Sequence, residues 1–128
     1  MTEYFATTES GTPTREGSWL TVGEGVEVHP GLRGKPVVGG DCMLMLYEWE
    51  GIFDVPTHAH SEEQLVLVLE GEIEFVMGDE RRIMGVGDAV VVPPWVSHGA
   101  SSRTERVVTV DAFAPVRQAL LALLAEKA

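Results

Sequence analysis

The chain has a single cysteine, Cys42, in 128 residues. No intrachain disulfide can form, and a reducing, cytoplasmic setting is the expected location. Cations are scarce too: 9 Lys and Arg stand against 20 Asp and Glu, for a formal net charge of −11. They form no cluster, so the chain lacks the positive footprint that nucleic acid or an anionic membrane requires, and neither partner is expected. Long apolar runs are also missing. The strongest helical apolar stretch, residues 119–125, is far short of the roughly 20 residues that cross a bilayer. Residues 1–10 have neither the basic segment nor the apolar core of a secretory leader, so export is not expected.

What remains is enough for one domain with a modest core. Residues 1–17 are polar and broken by Gly11, Pro13 and Gly17, which predicts a flexible N-terminal arm and a single domain over 18–128. Short apolar stretches then recur between turn residues, at 19–22, 42–49, 65–69, 73–77, 89–92 and 106–113. This spacing predicts an all-β sandwich or barrel. Ile73, Phe75 and Met77 take one face of their stretch and Glu72 and Glu74 the other, with turn chemistry following at Gly78-Asp79 and again at Gly87-Asp88. Residues 65–69 and 90–92 are apolar at both parities and predict strands covered on both faces. After Pro115, residues 116–127 contain no breaker and predict a short C-terminal helix with Leu120, Leu121 and Leu124 as its apolar stripe. The two-sided strands and the leucine stripe exceed what a thin barrel covers, which predicts a homodimer through the N-terminal strands or the helix. Cys42 is expected as a small buried hydrophobe, and Trp49 and Phe53 as core, with the mouth of a pocket as their alternative place.

Three of the four histidines fall in two short segments, His58-Ala59-His60 with Gln64 close behind, and Pro93-Pro94-Trp95-Val96-Ser97-His98. Imidazole is the commonest metal ligand near neutral pH. Positions i and i+2 of a strand share a face, so His58 and His60 can converge and Gln64 keeps their parity, while His98 must arrive from a second strand. His29 has no such partner and is expected to be structural. Glu62 and Glu63, the nearest carboxylates, are expected in a solvated turn, with ligation as the alternative.

The order Gly51, His58, His60, Gln64, Gly71, then Gly87, Pro93, His98 resembles the two motifs of the cupin superfamily. Gln64 stands where that family most often has Glu, Trp95 where it has Gly, and Ser102 where it has Asn. The resemblance implies a cupin jelly-roll β-barrel and makes His58, His60, Gln64 and His98 the ligands of one divalent metal ion. All four groups are neutral, which leaves the ion a strong Lewis acid and favours zinc or nickel, with iron or manganese open. The alternative role for Gln64 is hydrogen bonding alone, with solvent completing the shell.

A second constellation, Asp111-x-Phe113-x-Pro115-x-Arg117, resembles the tail of the pectin-degradation cupins, which linearise unsaturated uronates released by pectin and alginate lyases. The likeness runs from the segment at 22–31 through the metal motif to Arg117. It implies catalytic roles for Asp111 and Arg117, substrate contacts from Arg117, Phe113 and Trp95, and an acidic sugar as substrate. A carboxylate in so apolar a strand is costly unless paired or functional. A structural Asp111–Arg117 ion pair is the plain alternative. A cupin dioxygenase, another small-molecule metalloenzyme and a non-catalytic sugar-binding cupin are the functional alternatives, because one fold hosts many chemistries.

Overall fold

The computed structural model describes Tyr4 and residues 11–128, so most of the expected arm lies outside the described residues. Residues 11–17 are exposed and belong to no helix or strand. Ten strands follow: β1 (Val26–His29), β2 (Leu32–Val38), β3 (Met43–Glu50), β4 (Asp54–His58), β5 (Glu63–Glu70), β6 (Ile73–Met77), β7 (Glu80–Met84), β8 (Ala89–Val92), β9 (His98–Ser102) and β10 (Arg106–Ala114). Helix α1 (Gln118–Lys127) ends the chain. A six-stranded sheet, β1-β2-β3-β10-β5-β8, faces a four-stranded sheet, β4-β9-β6-β7, and all pairings are antiparallel. This is the expected all-β jelly roll with a short C-terminal helix.

Strands with apolar alternation appear where the sequence predicts them, and Gly78-Asp79 is the two-residue turn between β6 and β7. Residues 19–22 do not form the expected strand. Trp19 and Leu20 are exposed, since this segment finds no sheet edge in its own chain to supply hydrogen bonds. Cys42 is exposed in the β2–β3 turn rather than buried, because the turn is closed by its backbone, Gly39 N donating to Cys42 O at 2.9 Å. Gly71, between β5 and β6, has φ +77°, and a Cβ there would stand 2.2 Å from the Arg106 carbonyl oxygen. Only glycine lets the two sheets close at this corner.

Two apolar clusters hold the fold. Trp49, Val66, Val68, Ile73, Phe75 and Val107 belong to the cluster between the sheets. Met43, Met45, Phe113, Val116, Leu120 and Leu124 form a second, which docks α1 on the six-stranded sheet. The leucine stripe is thus largely covered within the chain, each leucine contributing about 1.5–3 kcal/mol. The expectation of strands covered on both faces is corrected in β5: Val66 and Val68 are buried, whereas Leu65, Leu67 and Leu69 are 39–46% exposed. Strict alternation sends every second side chain of this sheet outward. The register aligns Leu44, Ala112, Leu65 and Val91 in one outward row and Leu46, Val110, Leu67 and Ala89 in the next.

Candidate metal centre

Chain reversal between the two sheets builds the site. His58 ends β4, His60 lies in the connection, and Gln64 is on β5 of the opposite sheet. Strand parity therefore does not unite 58, 60 and 64, as the sequence had suggested; packing of one sheet on the other does. His98 opens β9, directly across from His58. Ligand nitrogens of His58, His60 and His98 all lie within 4.8 Å of one another. Gln64 Oε1 is 3.0 Å from His60 Nε2 and 2.9 Å from His98 Nε2.

Each imidazole is held from behind by a backbone carbonyl. The Nδ1 atoms of His58, His60 and His98 lie 2.8, 3.1 and 2.9 Å from the oxygens of Pro56, Glu62 and Val96. A carbonyl only accepts, so Nδ1 carries the proton and the neutral ring turns its Nε2 lone pair inward. Gln64 Nε2 donates to Asp111 Oδ2 at 2.8 Å, which assigns the amide oxygen to the histidine side. Four lone pairs then converge with no donor among them, an arrangement a cation relieves. Burial favours the neutral form of two of the rings: it pushes the His98 pKa down to about 4 and, with the nearby Arg117 charge, lowers that of His60. The donor set fits one divalent ion of the imidazole-binding kind.

A cavity of about 200 Å³ adjoins these groups. His58, Gln64, His98, Asp111, Phe113 and Arg117 line one part of it, and Leu32, Trp49, Val66, Ile73 and Phe75 form apolar wall. Asp111 is buried, and burial pushes its pKa up to about 7 against the opposing Gln64 hydrogen bond. Its Oδ1 has no hydrogen-bond partner, and neither has the buried Nε of Arg117. Arg117 places its guanidinium 5.8 Å from the Phe113 ring centroid rather than on the Asp111 carboxylate. The plain ion-pair explanation is therefore not realised, and an acceptor and a donor are left without partners on two side chains that line one cavity. Buried unsatisfied groups of this kind are costly and point to a polar ligand.

Trp95 stands apart from the other expected substrate contacts. It is 70% exposed and outside the cavity lining, while its backbone N donates to the His60 carbonyl at 2.8 Å. Its φ of +65° is the left-handed conformation that the family's usual glycine adopts freely. Trp95→Gly is therefore expected to stabilise the apoprotein by about 0.5–1 kcal/mol in urea denaturation, since little packing is lost. Glu62 Oε1 sits 3.5 Å from His60 Nδ1, on the outer side of that ring, and Glu63 is exposed. His29 stacks on Phe53 and Phe53 on Trp49, with centroids 5.3 and 5.5 Å apart, in keeping with structural roles. Sequence reasoning missed Tyr47, which lines the cavity. The inward row Met43, Met45, Tyr47, Trp49 carried the signal, because a hydroxyl among core positions is out of place.

The Cupin domain family model matches residues 45–113, more than half of the chain. The chain is 33% identical over 88 residues to the H2HPP isomerase of Bacillus subtilis, covering 67% of itself but only 37% of that longer protein. It is 29% identical over 93 residues to the pectin degradation protein KdgF of Dickeya dadantii, covering 71% of itself and 84% of that protein. The solved structure of KdgF from Halomonas sp. superimposes with a TM-score of 0.70 at 27% identity, over 73% of this chain and 89% of the other. With the converged histidines and the two facing sheets, these likenesses establish that the chain belongs to the cupin domain family.

Proposed function

We propose that the protein is a cytoplasmic, metal-dependent isomerase that opens the ring of a 4,5-unsaturated uronate from pectin or alginate breakdown. The observation that carries this reading is the Gln64–Asp111 hydrogen bond, which couples the ligand cluster to a buried carboxylate facing the cavity. The likeness to two KdgF proteins supports it. A divalent ion held by His58, His60, Gln64 and His98, zinc or nickel before iron or manganese, would supply Lewis acidity toward substrate oxygens. Asp111 takes the proton of the anomeric hydroxyl as that oxygen becomes the aldehyde and the C1–ring oxygen bond breaks. The bond electrons leave on the ring oxygen as an enolate, and Asp111 returns the proton to C4 as the enolate becomes a ketone. Atoms and charge balance, with no co-reactant. Arg117 holds the substrate carboxylate and admits an anion to an otherwise acidic protein. Phe113 supports both, packing against His60 and under Arg117.

A second reading has its own support. The apolar cavity wall suits a substrate with an apolar ring, and the likeness to a protein named H2HPP isomerase supports an isomerisation. Proton NMR tests the uronate reading: the wild-type protein is expected to remove the C4 vinyl proton signal of an unsaturated uronate faster than buffer does. An inert uronate together with substrate-dependent oxygen consumption would instead favour a dioxygenase.

We further propose a two-fold homodimer, formed through the outward face of the six-stranded sheet rather than through α1. That face is apolar across two cross-sheet rows. Its flank has mixed charge, Lys35 pairing with Glu48 and Arg106 with Glu48, Glu50 and Glu70, so two acidic chains can meet there without a like-charge front. Light scattering at micromolar concentration is expected to give a dimer for the wild type and a monomer for Leu67→Glu. A monomeric wild type would refute it.

A further inference from the structure

Tyr47 occupies a position that packing alone does not explain. It lies in the inward row of β3, opposite Gly34 on β2 and Thr109 on β10, and packs against both apolar clusters. Gly34 makes room for it: a Cβ there would stand 3.1 Å from the Tyr47 ring and 2.5 Å from Met45 Cε. The ring thus fills the junction between the barrel core and the helix-side core, work that phenylalanine would do equally well. Among the described residues no hydrogen-bond partner is found for its hydroxyl, yet the side chain lines the cavity that also holds Asp111 and Arg117. A hydroxyl on the lining of a largely apolar cavity is placed to hydrogen-bond a ligand.

Three polar side chains therefore line one cavity: Asp111 with its unpartnered acceptor Oδ1, Arg117 with its unpartnered donor Nε, and Tyr47 with its hydroxyl. Two donors and one acceptor describe a ligand with an anionic oxygen-bearing end and a hydroxyl. We propose that Tyr47 is a substrate-binding residue whose hydroxyl, together with Arg117, holds the carboxylate of the substrate while Asp111 faces its hydroxyl. The phenol serves as a donor and not as a base, since burial, with the nearby Asp111 charge, pushes its pKa well above the ordinary tyrosine value. Tyr47 thereby fixes which end of the acid enters toward Arg117.

This role rests on the uronate reading, and Tyr47→Phe tests it separately. The substitution removes one oxygen and keeps the ring. The expected result is a KM for unsaturated uronate raised about tenfold, the scale of a hydrogen bond to a charged group, with kcat changed less than about threefold. Metal content and thermal stability should match the wild type, because only one oxygen at the cavity lining is removed and the ring keeps its packing. A KM within error of wild type, in an active wild-type background, overturns the Tyr47 assignment and leaves the uronate reading standing. An inert wild-type protein overturns both.

Discussion

Asp111→Asn is expected to keep the fold and the bound metal while turnover of unsaturated uronate falls by roughly 100-fold or more. Asparagine has nearly the same shape, and its Oδ1 can still accept the 2.8 Å hydrogen bond from Gln64 Nε2. The strand register, Asp111 between Met45 on β3 and Val66 on β5, gives no reason for rearrangement. What disappears is the ability to take a proton and give it back. Circular dichroism and metal analysis separate this outcome from misfolding. An Asn variant that turns over at the wild-type rate would remove Asp111 from the chemistry.

Gln64→Glu carries the second large effect, and it explains why an amide stands where cupins usually have a carboxylate. Gln64 uses both ends of its side chain, Oε1 toward His60 and His98 and Nε2 toward Asp111. A glutamate would replace the donor by an oxygen at hydrogen-bond distance from the Asp111 carboxylate. Two carboxylates so close cannot both ionise in a buried site, and a proton becomes trapped between them. The variant is expected to bind metal at least as well, because a negative ligand is added, yet to lose turnover by about 100-fold as Asp111 no longer accepts freely. A Glu variant with full activity would mean that the Gln64–Asp111 contact has no part in proton transfer.

Much of the fold was legible because strand alternation writes burial directly into sequence. Ile73, Phe75 and Met77 against Glu72 and Glu74 located β6, and the breaker-free run after Pro115 located α1. Strands without that contrast stayed hidden: β2 contains Gly34 and Pro36, β7 is mostly charged, and β9 consists of small and polar residues after His98. Such strands are stabilised by pairing with neighbours, which a local pattern does not record. Conversely, residues 19–22 had an apolar pattern and no partner, and remained irregular.

The site was legible to a different degree. The ligand types and their order were readable, yet their convergence depends on the two sheets closing, so the parity argument for His58, His60 and Gln64 gave a sound grouping by the wrong route. The three carbonyls that orient the imidazoles belong to the backbone of Pro56, Glu62 and Val96 and leave no trace in residue type. Asp111 stood out because a carboxylate in an apolar strand is expensive. Tyr47 did not, because a tyrosine in a strand is ordinary until its hydroxyl is seen to lack a partner.

The most direct test follows the ultraviolet absorbance of a 4,5-unsaturated uronate with protein that is first stripped by chelator and then reloaded with one equivalent of zinc or nickel. Loaded protein is expected to accelerate the loss of absorbance, stripped protein to behave like buffer, and reloading to restore the rate. Equal rates for loaded protein, stripped protein and buffer would contradict the assignment of this metal centre to uronate ring opening.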